Sequence, residues 1–315
     1  MGTARSYPVF GEGERISMPA RMLYIHALSP VHVGIGQASG VIDLPVIREK
    51  HTGYPYLPGS GIKGVLRDAA RPPEGNDAAL KLFHKAFGPE TTNASDNSGA
   101  LQFTDARLLA LAVRSYHGTF AWVSCREALM RWVRDYSSAG FKNAPTVPSA
   151  PAFGGIHVMS TSKLKTPASK VVLEEFDLTV EPAQLAVSTI AGSIAKAVFA
   201  DIAWQTRFEE RFAIVSDDLF SNLCVLATDV VARIKIDDDT KTVAHGQLWF
   251  EESVPMESIF ASAVMVDPAT KGNPTDYLDF VKNATTTVLQ IGGKASVGRG
   301  LVRVSLQEGD VDVQT

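Results

Sequence analysis

The residue of this 315-residue chain best placed for chemistry is Asp43, in the segment GVIDLPVIRE. The Leu44-Pro45 pair after it stiffens the loop, because proline keeps the residue before it extended. A carboxyl group of ordinary acidity, with a pKa of about 3.9, is a poor base at neutral pH. Asp43 would therefore act either as a desolvated base or as a ligand for a divalent ion that lowers a barrier electrostatically. The structural alternative is a turn-capping aspartate before proline. His32 and His51 flank this loop at a spacing that fits no preformed metal set. His32 is a candidate proton donor, since an imidazole commonly changes charge near neutrality.

A second chemical signal is GGKASVGRG. Glycines at 292, 293, 298 and 300 expose backbone amides to a phosphate chain, and Lys294 and Arg299 add charge. The plain reading is a flexible turn. Lys63, Arg67 and Arg71 recur at four-residue spacing and form either a phosphate-binding strip or a solvated face. GSGIKG matches GxGxxG, but YPYLP precedes it and the FHKAFGPE insertion lies downstream, where a dinucleotide fold needs an entering strand and an acid on the next strand, so a dinucleotide site is not expected. P-loop, HExxH and GxSxG patterns are absent. Cys125 and Cys224 are far apart and outside any CxxC pair, which predicts two buried thiols.

A formal charge of −4 argues against general nucleic-acid affinity, so any RNA must be held by a local basic strip. No apolar run approaches the roughly 18 residues that cross a bilayer, and the first twenty residues lack a signal-peptide core. A soluble cytoplasmic protein without membrane partners is expected.

These residues need a frame of interleaved strands and helices. Strands are predicted at 22–28, 101–112, 119–124, 170–180, 258–266 and 301–306. Helices are predicted at 61–70 with Ser60 as N-cap, 126–136, 217–227 and 275–289. Residues 137–151 read as a loop, and 185–203 as helix or loop. Residues 72–100 read as a polar surface insertion with a short helical pattern at 80–87. Residues 230–236 and 243–250 flank DDDTKT as a hairpin with a polar tip.

SPVHVGIG, then GVIDLPVIREKHTGYPYLPGSGIKGVLR, then GGKASVGRGLVRV, in that order, resemble the RAMP superfamily of CRISPR proteins. Within it, the IDLPVIREKHTGYP block and the GIKGVLR helix resemble the repeating backbone subunit of the type III-B (Cmr) complex. The resemblance spans residues 22–306. It implies an α+β, ferredoxin-like and RRM-like RAMP core within a single domain over 1–315, with an insertion at 72–100 and a thumb β-hairpin at about 228–258.

It further implies copies stacked along a guide crRNA, alongside other type III effector subunits, with thumbs interrupting the guide:target duplex at regular intervals. The splayed target RNA then lies beside a loop carboxylate, here Asp43. Lys63, Arg67, Lys294, Gly298, Arg299 and Gly300 become guide contacts. Glu251 and Glu252 become candidate acids near the scissile bond, although Ser253 stands where some relatives are expected to have an aromatic residue. RNA carries its own nucleophile, the 2′-hydroxyl, so a site must supply in-line geometry, remove one proton and stabilise a charged phosphorane. The preferred reading is metal-assisted, with Mg2+ bound through Asp43 and phosphate oxygens rather than a preformed cluster. His32 would protonate the leaving 5′-oxygen. The competing function is a non-catalytic RNA-binding scaffold.

Overall fold

A computed structural model describes residues 19–36, 42–89, 98–236 and 243–307. One twelve-stranded sheet organises them. Third from one edge of it is β1 (Ala20–Ala27), a nearly unbroken apolar run buried on both faces. Such a strand must be covered twice. Leu23 and Ile25 point into one core and Met22 and Tyr24 into another.

The chain next forms β2 (Tyr56–Leu57), α1 (Gly59–Ala69), α2 (Asp77–Phe87), β3 (Leu101–Phe103), β4 (Ala106–Arg114), β5 (Phe120–Cys125) and α3 (Arg126–Ser138). Then come β6 (Gly155–Val158), β7 (Lys170–Leu173), β8 (Phe176–Val180), α4 (Gln184–Val198), α5 (Ile202–Glu209), β9 (Phe212–Val215) and α6 (Asp217–Leu226). The last part holds β10 (Asp229–Ile236), β11 (Val243–Ser253), β12 (Ile259–Val266), α7 (Pro274–Ala284), β13 (Val288–Gln290) and β14 (Leu301–Gln307). The sheet runs β13-β14-β1-β12-β4-β5-β9-β6-β8-β7, with β2 on β4 and β3 on β12. Its first half is antiparallel, whereas β5/β9 and β6/β8 are parallel. The hairpin β10-β11 forms its own two-stranded sheet. The DDDTKT tip, like residues 1–18, lies outside the described residues.

Local chemistry sets the boundaries. Ser216 Oγ accepts from the Leu219 amide, and Asp217 and Asp218 occupy the first turn of α6, as the sequence predicts. Ser60 does not cap α1. The helix begins one residue earlier, and Asp105 Oδ1 accepts the Gly59 amide at 2.8 Å. The stretch 170–180 is a hairpin because Glu174 turns the chain at φ 49°. The stretch 185–203 divides into two helices, the second capped by Asp201, which accepts from Ala203 and Trp204. The helix predicted over 275–289 stops at Ala284, where the Thr285 and Thr286 hydroxyls donate to the Lys282 and Asn283 carbonyls, and β13 follows. Residues 72–100 are not wholly peripheral. Phe83 and Phe87 of α2 are buried and pack on Phe280 of α7, while residues 90–97 lie outside the described part. Among the described residues no helix is long and apolar enough to cross a membrane.

Candidate active site

Four distant segments meet where the hairpin joins the sheet. Val31 and Val254 exchange backbone hydrogen bonds at 2.9 Å in both directions. The Leu44 amide donates to the Phe250 carbonyl and the Glu252 amide to the Leu44 carbonyl, each at 3.0 Å, so the Asp43 loop runs alongside β11 like a short parallel strand. The Gly293 amide donates to the His32 carbonyl at 2.8 Å, and the Gly300 amide to Pro30 at 2.9 Å. The glycine-rich loop is therefore fastened to the loop that follows β1.

Asp43 is exposed, and its Oδ2 accepts from the Phe250 amide at 2.8 Å. That bond aims the carboxylate into an open groove of about 390 Å³, which His32, Gly34, Gly293 and Lys294 also line. Lys294 sits at φ 67°. A non-glycine residue in the left-handed region is uncommon and costs energy that neighbouring contacts must offset. Here the Val297 and Arg299 amides both donate to the Lys294 carbonyl. Periodicity gives no sign of this turn.

His32 is buried, and its Nδ1 lies 2.7 Å from the Glu252 carbonyl oxygen. A carbonyl only accepts, so Nδ1 carries a proton and the neutral ring presents a bare Nε2. The proton-donor role read from sequence therefore requires the charged ring. Gly34 and Gly292 make room for this residue. A Cβ on Gly34 would lie 2.9 Å from His32 Nε2, and one on Gly292 only 2.4 Å from the His32 carbonyl oxygen.

The two adjacent glutamates differ. Glu251 is 2% exposed; its Oε2 lies 3.6 Å from Lys294 Nζ and 3.8 Å from Arg233 Nε, and its Oε1 has no hydrogen-bond partner among the described residues. Glu252 has no oxygen to spare. Oε2 accepts from the Val46 amide at 2.9 Å, and Oε1 accepts from Thr228 Oγ1 at 2.8 Å and from Arg48 Nη2. Both oxygens of this carboxylate are engaged in holding the loops together.

Lys63 and Arg67 are not part of this groove. Lys63 Nζ donates to the Leu101 carbonyl at 3.1 Å and lines a separate groove of about 400 Å³ with Ser60 and Gln102. Burial, followed by the Arg67 charge, holds its amine below the ordinary lysine range. Arg67 donates to the Pro89 carbonyl at 2.9 Å and stacks over Phe83. Gly298 is exposed at φ 75°, and burial pushes the Asp229 carboxyl above the ordinary range, opposed by the Arg299 charge. Gly300, at φ 77°, is buried; a Cβ there would meet the Ile291 carbonyl oxygen at 2.1 Å. Cys125 and Cys224 are buried free thiols, as expected, with burial pushing Cys125 up to about 12.

Among the described residues no group of three or more His, Cys, Asp and Glu could hold a metal ion. One exposed carboxylate beside an open groove suits a hard cation that takes most of its ligands from water and phosphate.

The sequence matches the RAMP superfamily over residues 24–303. The chain belongs to that superfamily. A Pyrococcus furiosus relative described as CRISPR system Cmr endoribonuclease Cmr4 is 35% identical over 294 residues, 92% of this chain and 97% of the relative. CRISPR system CMR subunit Cmr4 of Saccharolobus solfataricus is 25% identical over 311 residues, 89% of this chain and 94% of that one. The crystal structure of oligomeric Cmr4 from Pyrococcus furiosus matches with a TM-score of 0.73 at 28% identity, covering 94% of this chain and all of that one. A subunit of the type III-B Cmr-beta assembly bound to cognate target RNA shares the fold, with a TM-score of 0.68 at 20% identity over 91% of this chain and 96% of that one. The family read from the SPVHVGIG, IDLPVIREKHTGYP and GGKASVGRG blocks stands.

Proposed function

We propose that this chain is a guide-RNA-binding backbone subunit of a type III-B CRISPR effector that cuts target RNA paired to the guide. Asp43 carries the cleavage. The observation behind this reading is the convergence of the Asp43 carboxylate, its orientation fixed by the Phe250 amide, with Lys294 on one open groove. Similarity over nearly the full length to a protein named as an endoribonuclease supports it. Partners are guide crRNA, target RNA, further copies of the chain and other type III subunits, in the cytoplasm.

The target's 2′-hydroxyl loses its proton to solvent and its oxygen attacks the adjacent phosphate, closing a 2′,3′-cyclic phosphate as the 5′-oxygen leaves and takes up a proton. Asp43 is the residue that would hold a divalent ion, probed as Mg2+, which when bound supplies neutralisation of the phosphorane charge. Lys294 adds positive charge at the same groove, and Glu251 behind it orients that amine. His32 presents Nε2 to accept a hydrogen bond or, when protonated, to give a proton to the leaving oxygen. The exposed glycines Gly292, Gly293 and Gly298 carry no side chain to hold the RNA backbone away from the loop, and Lys294 and Arg299 supply charge beside them. The net negative charge is compatible with this, because stacked subunits each contribute a local basic strip.

The deciding experiment assembles complexes on guide RNA with Asp43→Asn. Loss of target cleavage with intact assembly is the expected result. Cleavage at the unaltered rate would leave the chain as a scaffold.

A further inference from the structure

The densest polar contact of the hairpin base lies behind the groove, not in it. Arg48 Nη1 donates to the Cys224 carbonyl, in the last turn of α6, and to the Gly53 carbonyl of its own loop, both at 2.9 Å. Its Nη2 donates to Glu252 Oε1, and Thr228, which leads from α6 into β10, donates to the same oxygen. The second carboxylate oxygen takes the Val46 amide, three residues after Asp43. The Glu252 carbonyl takes His32 Nδ1. One ion pair thus joins β11, the segment leading into β10, the end of α6 and the Asp43 loop, while the His32 loop attaches through the main chain of the same glutamate. The Glu252 side chain is 3% exposed and the Arg48 side chain 22%.

We infer that Arg48 and Glu252 are positioning residues, which set the Asp43 carboxylate and the His32 ring against the hairpin base without touching RNA. The inference rests on the cleavage role given to Asp43. A planar guanidinium reaches three acceptors at fixed angles, and a lysine ammonium at that place cannot reproduce the fork. Buried in a medium of low polarity, the carboxylate holds its geometry only while its cation is present. Displacement of a reacting group by about 1 Å costs on the order of a hundredfold in rate.

The test uses complexes assembled on guide RNA and carrying Arg48→Lys or Glu252→Gln, the second of which keeps an acceptor for the Val46 amide. Single-turnover cleavage is measured against target concentration. The rate at saturating target is expected to fall about tenfold to a hundredfold, with the half-saturating target concentration unchanged. Arg131→Lys is the control. It disturbs an ion pair that ties α3 to Glu49 rather than to Glu252, and should leave the saturating rate within about twofold. Unaltered saturating rates in both test variants, or a loss confined to the half-saturating concentration, would overturn the inference. Asp43→Asn run alongside separates the two claims: if it abolishes cleavage while Arg48→Lys and Glu252→Gln do not slow it, only the positioning role fails.

Discussion

The Asp43 carboxylate accepts a hydrogen bond from the Phe250 amide at 2.8 Å, although 207 positions separate the two residues. The bond gives the loop acid a defined direction and gives the base of the hairpin an anchor. Asparagine keeps an acceptor oxygen and alanine does not, so the two substitutions dissociate chemistry from structure. Asp43→Asn and Asp43→Ala should both lower cleavage about a hundredfold or more. Only Asp43→Ala should also lose about 0.5–1 kcal/mol of stability, read as a lower urea midpoint. Equal stability losses in the two variants would separate the Phe250 bond from the behaviour of the loop.

Metal dependence follows from a single open carboxylate. Chelation should stop cleavage by assembled complexes, and added Mg2+ or Mn2+ should restore it. A site with few protein ligands binds weakly, so millimolar concentrations are expected. Undiminished cleavage in chelator would assign Asp43 to the desolvated-base reading instead.

Gly34→Ala tests the packing around His32. The added Cβ would sit 2.9 Å from His32 Nε2, so the ring must move and weaken its Nδ1 bond to the Glu252 carbonyl. A destabilisation of about 1–3 kcal/mol is expected, together with slower cleavage. Unchanged imidazole resonances of His32 in the variant would contradict this account.

Glu49 and Arg131 form a largely buried bidentate pair at 2.5 and 2.8 Å. Burial alone would raise the Glu49 carboxyl, but the bonds from Arg131 and Thr52 hold it below the ordinary 4.5. A carboxyl lowered in the folded state contributes its full stability above the unfolded value and loses it as pH falls through the folded one. Arg131→Met should therefore destabilise by about 3 kcal/mol at neutral pH. Its deficit should shrink as the pH drops below about 4.5. Denaturant midpoints at neutral and acidic pH check this, and a deficit independent of pH would refute it.

Lys63→Ala and Arg67→Ala address the second basic strip. If these cations meet guide phosphates, each substitution weakens guide binding whatever the guide sequence and lowers the salt slope by about 0.7. Both residues donate to backbone carbonyls here, so RNA must compete with Leu101 and Pro89 for them. A loss selective for guide sequence would count against phosphate contact.

Several elements were legible because their causes are local. The Ser216 cap with two acids behind it defines α6, and apolar runs flanking a polar tip define the hairpin. β6 and β9 were missed because four-residue buried strands carry too short a pattern to stand out. The α7 boundary was overextended because apolar Val288 and Leu289 keep helical spacing while their backbone pairs with β14. At the site, the Asp43 loop and the glycine-rich loop are legible from residue type and family resemblance, whereas nothing local distinguishes Arg48 from the neighbouring charges Glu49 and Lys50.

Glu251 and Glu252 mark where local reading ends. Alternation along a strand determines from the sequence alone that two neighbours on β11 face opposite ways. It does not determine what each face meets. Closure of the chain brought Arg48, 204 positions away, to Glu252 and left Glu251 beside Lys294 with one oxygen unpartnered among the described residues. The same closure placed Asp43 at Phe250 and fixed the His32 tautomer. Side-chain alternation is a property of the local backbone, whereas the partner of a buried charge depends on which distant segments the core forces together.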